Sequence, residues 1–281
     1  MSVYALRTIT LASALATFVA CKGKEAPPPA AATAAPAENI LRVTAADFSF
    51  QAPDSIPGGV TTVRIVNQGP SYHHVQLIKL NDGKTMADFL DAMKGGAPPA
   101  WAVFEGGPNA APVGDSSTAI LTLDPGNYAM ICLIPGTDLA PHFVHGMAHA
   151  LTVTAPVSTE AEPVADDTLK LVDYAFSFSS ALTAGHHVIL VENAGQQAHE
   201  AALVKLDPGA TAEDIVKWAD SMKGMPRGQI HGLITGIIPG GHNYAVVDLT
   251  PGTYAMLCFF PDMKDGKPHV AHGMMSTFQV N

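Results

Sequence analysis

The chain has 281 residues, of which 47% are hydrophobic and 14% charged, with a net charge of −10. That length holds two domains of about 110–120 residues each, and the apolar fraction is ample for two cores. The 15 Lys and Arg against 25 Asp and Glu exclude a nucleic-acid partner, because phosphate binding needs clustered cations.

At the N-terminus, one cation (Arg7) precedes the apolar run Ile9 to Ala20. The run is too short to span a bilayer comfortably, so residues 1–20 read as an export signal peptide. Phe18-Val19-Ala20-Cys21 resembles the bacterial lipobox. That resemblance implies lipidation of Cys21, a periplasmic or cell-envelope location, and attachment to a membrane through the N-terminal lipid. The alternative is a plain cleaved signal followed by an incidental Cys21. Residues 21–39 are rich in Pro and Ala without apolar periodicity, which predicts a semi-rigid tether.

From residue 40 the chain repeats itself at an offset of 126: Asp47-Phe48 falls on Asp173-Tyr174, Asn67 on Asn193, Gly69 on Gly195, and His73 on His199. Pro125-Gly126 and Cys132 likewise fall on Pro251-Gly252 and Cys258. One extra residue in the second copy then sets His142 and Met147 opposite His269 and Met274. The organisation predicted is a domain over 40–156, a linker over 157–166 rich in Pro, Ala, Glu and Ser/Thr, and a second domain over 167–281.

Within each copy strands dominate. Val60 to Val66 is β-branched and bounded by Gly-Gly and Asn-Gln-Gly, with His187 to Val191 as its counterpart. His74 to Leu80 and Ala201 to Leu206 alternate, and Thr118 to Leu123, Pro-Gly, Tyr128 to Cys132 reads as strand, turn, strand. Leu151 to Val153 and Thr277 to Val280 close the copies. Thr85-Met86-Ala87-Asp88 and Thr211-Ala212-Glu213-Asp214 are N-cap signatures, each opening one short helix whose apolar face is for packing. The fold class predicted is all-β, two tandem sandwiches with one short helix apiece.

Each copy brings a thiol, an imidazole and a thioether into one loop: Cys132, His142 and Met147, then Cys258, His269 and Met274. Two imidazoles, a thiolate and a weakly held Met define the trigonal blue-copper site. A fourth ligand must come from another strand. A disulfide between Cys132 and Cys258 is the competing reading for an exported chain.

These residues resemble the cupredoxins, the plastocyanin and azurin superfamily, across nearly everything after residue 40. The resemblance implies Greek-key sandwiches, and a first His that follows an Asn-rich turn, here His73 after Asn67 and His199 after Asn193. It gives two type 1 copper sites, His73, Cys132, His142, Met147 and His199, Cys258, His269, Met274. Nine and ten residues separate Cys from His, and four separate His from Met, a loop similar to that of copper nitrite reductases. The residue after the first His is often Asn in that family and pins the Cys loop; here it is His74 and Glu200. His74 rivals His73, and His145 and His272 are either further ligands or loop-shaping residues. His149, His186, His187, His231 and His242 have no counterpart in the other copy and are expected at the surface.

The function expected is electron transfer, with redox proteins as partners docking on the apolar collar around His142 (Leu139, Ala140, Pro141, Phe143, Val144) and the charged collar around His269 (Lys264, Asp265, Lys267). The alternatives are copper storage or delivery, and a metal-free interaction module of the same fold. Ile131 and Leu257 precede the cysteines and no His-x-His occurs, so the chain is expected not to be an enzyme.

Overall fold

The computed structural model describes residues 38–157 and 160–281. Residues 1–37, where the export signal, Cys21 lipidation and most of the tether are expected, lie outside the described residues. Among those described, no helix is long and apolar enough to cross a membrane.

The first half runs β1 (Ile40–Ala46), β2 (Ser49–Gln51), β3 (Ser55–Pro57), β4 (Gly59–Asn67), β5 (Gln76–Leu80), α1 (Met86–Met93), β6 (Ala102–Gly106), β7 (Ser116–Leu123), β8 (Gly126–Ile131) and β9 (Ala148–Thr154). The second runs β10 (Asp167–Val172), β11 (Ala175–Phe178), β12 (Gly185–Asn193), β13 (His199–Leu206), α2 (Ala212–Ala219), β14 (Gly228–Ile237), β15 (His242–Leu249), β16 (Gly252–Leu257) and β17 (Met275–Val280). Side-chain alternation makes the strands. In β4, Thr61, Val63, Ile65 and Asn67 point inward while Arg64 and Val66 face water. Both helices open on the reciprocal cap expected, Thr85 with Asp88 and Thr211 with Asp214.

In the first half β2-β1-β4-β7 face β3-β9-β8-β5-β6; in the second, β11-β10-β12-β15 face β17-β16-β13-β14. Leu41, Val43, Val63, Ile65 and Leu121 of one sheet meet Leu77, Met130, Leu151 and Val153 of the other in the first core. Leu169, Leu171, Ile189 and Val191 meet Leu203, Ile234 and Met256 in the second. Each helix covers the outer face of its second sheet, Phe89 against Ile78 and Ile131, and Ile215 against Val204 and Leu257. The fold is two all-β sandwiches, each with one short helix.

The halves are fused along sheet edges. β7 pairs antiparallel with β15, and β6 with β14, so the four sheets become one of eight strands and one of nine. These strands are equivalents in the repeat. Ala119 lies opposite its own counterpart Ala245, which places a pseudo-twofold axis between them. Buried side chains stitch the seam: Gln76 Nε2 donates to the Gly236 carbonyl (2.9 Å), Asn109 Nδ2 to that of Ile234 (3.1 Å), and Thr235 Oγ1 to that of Val75 (3.2 Å). From the linker, Glu162 accepts hydrogen bonds from Thr122 of the first half and from His242 and Tyr244 of the second.

Candidate metal centres

The Asn at the end of β4 builds the turn that delivers the first His. Asn67 Nδ2 donates to the carbonyls of Ser71 (2.7 Å) and Ala111 (3.1 Å), while its Oδ1 accepts from Gly69 N (2.9 Å). Asn193 repeats the pattern with Gln197, Ile237 and Gly195. Gly69 and Gly195 must be glycine. A Cβ at Gly69 would sit 2.8 Å from both His73 Nε2 and Asp47 Oδ1, and one at Gly195 2.7 Å from His199 Nε2. The turn drops His73 and His199 into the interior, both fully buried.

The opposite loop leaves β8 at Cys132, makes a single 3-10 turn over His142–His145, and returns at Met147. Phe143 N donates to the Cys132 carbonyl (3.0 Å), and Cys132 N to that of Met147 (3.2 Å), locking the loop onto itself. Val270 and Met274 do the same for Cys258. Met147 and Met274 are fully buried in the cores that hold Cys132 and Cys258.

Three donor atoms converge at each place. In the second half His199 Nδ1 lies 3.0 Å from His269 Nδ1, and Cys258 Sγ lies 3.3 Å from His269 Nδ1 and 3.9 Å from His199 Nδ1. In the first half His73 Nδ1 and His142 Nδ1 are 3.1 Å apart, with Cys132 Sγ 3.5 Å from the latter. The point equidistant from the three atoms of the second half is about 2.0 Å from each, close to the reach of imidazole and thiolate bonds to a first-row metal. The donor set, two imidazoles and a soft thiolate with a thioether nearby, fits copper.

The outer nitrogens explain why Nδ1 faces inward. His73 Nε2 meets Asp47 Oδ1 at 2.6 Å and His199 Nε2 meets Asp173 Oδ1 at 2.8 Å. A carboxylate accepts a hydrogen bond from Nε2–H, and the neutral ring then keeps its lone pair at Nδ1. Burial depresses all four imidazoles, His142 and His269 to about 4, with the neighbouring His as a further cause. Burial raises both thiols, Cys132 to about 12. Without a cation the cluster is therefore neutral. A metal reverses this for the thiol, which it deprotonates outright.

The residues after the first His settle the rivalry at position 73. His74 lies outside the cluster, and its Nε2 accepts from Leu133 N (2.7 Å). Glu200 Oε1 accepts from Phe259 N (2.9 Å) in the same way. Both pin the residue that follows the cysteine, with unlike chemistry. Burial lowers His74 to about 3 and raises Glu200 to about 7. Asn109 of the first half donates to Glu200 Oε2 (3.3 Å) across the seam. His145 and His272 each contact a carboxylate of their own loop, Asp138 at 3.0 Å and Asp265 at 3.2 Å, and His272 also clusters with Asp262.

Cys132 and Cys258 are free and buried, so the competing disulfide reading falls. The loop imidazoles are buried: His142 is 2% exposed and His269 is fully buried, because Phe48 and Tyr174 cover them edge-on at 4.9 and 5.5 Å. One expectation is corrected here. His187, expected at the surface, is buried with Nε2 against the Thr183 carbonyl (2.8 Å), because inward positions of β12 alternate through it. Asp47 and Asp173 were missed as partners of His73 and His199, although their repetition in register was the available signal.

No protein-family model matches the chain. No curated protein does either. Solved structures do. Auracyanin A, a "blue" copper protein from Chloroflexus aurantiacus, is 18% identical over 42% of this chain and 100% of its own, with a TM-score of 0.30. A blue copper oxidase from Nitrosomonas europaea is 14% identical over 86% of this chain and 85% of its own, with a TM-score of 0.27. A copper nitrite reductase from the same organism is 12% identical over 87% and 94%, with a TM-score of 0.23. The expectation that the chain is not an enzyme is withdrawn, because an oxidase and a nitrite reductase, both enzymes, stand among these structures.

Proposed function

We propose that the chain is an exported redox protein that holds copper at two type 1 sites, His73, Cys132, His142, Met147 and His199, Cys258, His269, Met274, and passes single electrons. The observation that carries this reading is the pair of buried triangles of two Nδ1 atoms and one Sγ, with edges near the values a single ion requires. Copper bound there supplies one-electron chemistry. The protein's part is to hold the imidazoles in one tautomer through Asp47 and Asp173, to pin the Cys loops through His74 and Glu200, and to exclude water. Rigid, buried donors suit a resident metal rather than a transported one. The leader over residues 1–20 and Cys21 support export and a lipid anchor. Leu139 and Val144, 55% and 60% exposed beside the first site, offer an apolar face to a redox partner protein.

The test is copper loading of the full chain and of Cys132→Ser and Cys258→Ser. The wild type is expected to absorb near about 600 nm with two equivalents bound. Each substitution should remove one equivalent and its share of the band. Stopped-flow reduction with a chelator present separates a carrier, which cycles and retains its metal, from a delivery protein, which surrenders it. A colourless loaded protein would sink the reading.

A further inference from the structure

The ligand loops of the two halves differ at three positions that meet in space. Where the second half has Tyr174, Gln197 and Asp262, the first has Phe48, Ser71 and Gly136. In the second half these side chains build one unit. Asp262 Oδ2 accepts from Tyr174 Oη (2.5 Å) and Gln197 Nε2 (2.9 Å), and Oδ1 accepts from Lys264 N (2.8 Å). Gln197 Oε1 in turn accepts from Met263 N (3.0 Å). The carboxylate is 3% exposed, and its Oδ2 stands 3.8 Å from His269 Nε2, a buried nitrogen without any hydrogen-bond partner. The extra residue of this loop gives the backbone room to fold Asp262 inward, with Asp262 N donating to the Lys267 carbonyl (2.8 Å) and its own carbonyl accepting from Gly266 N (2.9 Å). The nearby cations do not neutralise it: Lys264 and Lys267 are exposed, and Lys267 reaches Asp265.

A buried carboxylate that accepts three hydrogen bonds stays ionised. Among the described residues, its ring neighbour with an unpartnered nitrogen is His269, the imidazole whose other nitrogen faces the donor cluster. The first half has nothing comparable. Phe48 has no hydroxyl to offer, and Gly136 has no side chain, although a Cβ there would lie 3.9 Å from His142 Cδ2.

We propose that Asp262 is a positioning residue of the second site: it fixes the Nε2–H tautomer and orientation of His269, and its buried charge biases that site toward the oxidised state, making it the stronger reductant of the two. This rests on the copper reading above. The chain thereby has a built-in electrical asymmetry. An anion near a redox centre favours the more positive oxidation state, and low-dielectric surroundings enlarge the effect.

The experiment uses the full chain with Asp262→Asn and, as a second variant, Asp262→Gly, the residue the first half uses in a loop that folds. Each is placed in the Cys132→Ser background, so that only the second site reports. Spectroelectrochemical titration of the copper-loaded proteins is expected to show a raised potential in both variants, with the ratio of reduced to oxidised site at a fixed applied potential increased by about tenfold or more. The first site, read in the Cys258→Ser background, should not move. In the copper-free chain, where the 3.0 Å approach of the two Nδ1 atoms offers a competing place for the proton, ¹⁵N NMR should find a larger Nε2–H share for His269 in the wild type than in Asp262→Asn. Variants that bind copper with the wild-type potential would overturn the proposal, as would an unchanged His269 tautomer. Should no protein take up copper, the copper reading falls, while the NMR comparison still decides whether Asp262 positions His269.

Discussion

The two halves share one scaffold and close their ligand loops differently. The first loop is covered by hydrocarbon, with Phe48 over His142 and Leu139 and Val144 open to solvent. The second is covered by a hydrogen-bonded set, Tyr174, Gln197 and Asp262. The same division recurs behind the cysteines, where a neutral imidazole (His74) does in one half what a carboxyl (Glu200) does in the other. Duplication therefore kept the donor atoms and changed what surrounds them. On the copper reading proposed above, identical donor atoms in unlike electrostatic settings would give two sites of unlike character.

The largest expected effect sharpens this contrast through pH. Glu200 titrates near 7 when folded, against an ordinary value near 4.5. A carboxyl raised in this way adds stability below about pH 4.5 and loses it as pH rises through 7. The copper-free wild type should lose up to about 3 kcal/mol over that window. Glu200→Gln, which keeps an acceptor for Phe259 N, should abolish the loss in denaturant melts at pH 5 and 8. His74 runs the other way: its folded value is depressed to about 3, so its contribution is present above about pH 6.5 and disappears on acidification. His74→Asn should flatten the acid limb alone.

Next in size, Asp47→Asn and Asp173→Asn each remove the carboxylate that orders the first His of one half, and should weaken copper binding about 10- to 100-fold at that site only. Loss at both sites from one substitution would break the picture of separate centres. Smaller again is Phe260→Ala. Phe260 follows Cys258 by two residues and packs edge-on against Phe104 of the other half at 5.3 Å. It should cost about 2 kcal/mol in chemical denaturation and lower the cooperativity between halves. Smallest, Thr85→Ala and Thr211→Ala should each cost about 1 kcal/mol, equally, because the two caps have the same geometry.

Much of this was legible in the sequence for a physical reason. Strand alternation, the Pro-Gly turns and the Thr-x-x-Asp caps are local signals, and the Cys–His–Met loop is a local signal too. The repeat added a second reading of each. What stayed hidden was non-local. Asp47 reaches His73 only because the Asn67 turn folds back on β1, 26 residues away in sequence. Asp262 read as one member of a charged loop, since nothing in its neighbours announces that it turns inward to Tyr174. His74 looked like a rival ligand until its ring was seen bonding the backbone of Leu133. The seam between halves was equally invisible, because edge pairing depends on which strands end a sheet.

That seam has a consequence for the molecule's solubility. An edge strand displays unpaired N–H and C=O groups, a template for recruiting strands from other chains. Here β7 and β15, and β6 and β14, occupy each other's open margins. A single half released from its sibling would bare both margins at once and would be expected to self-associate through them, so the duplication that doubled the donor clusters also supplied each copy with its own guard against aggregation.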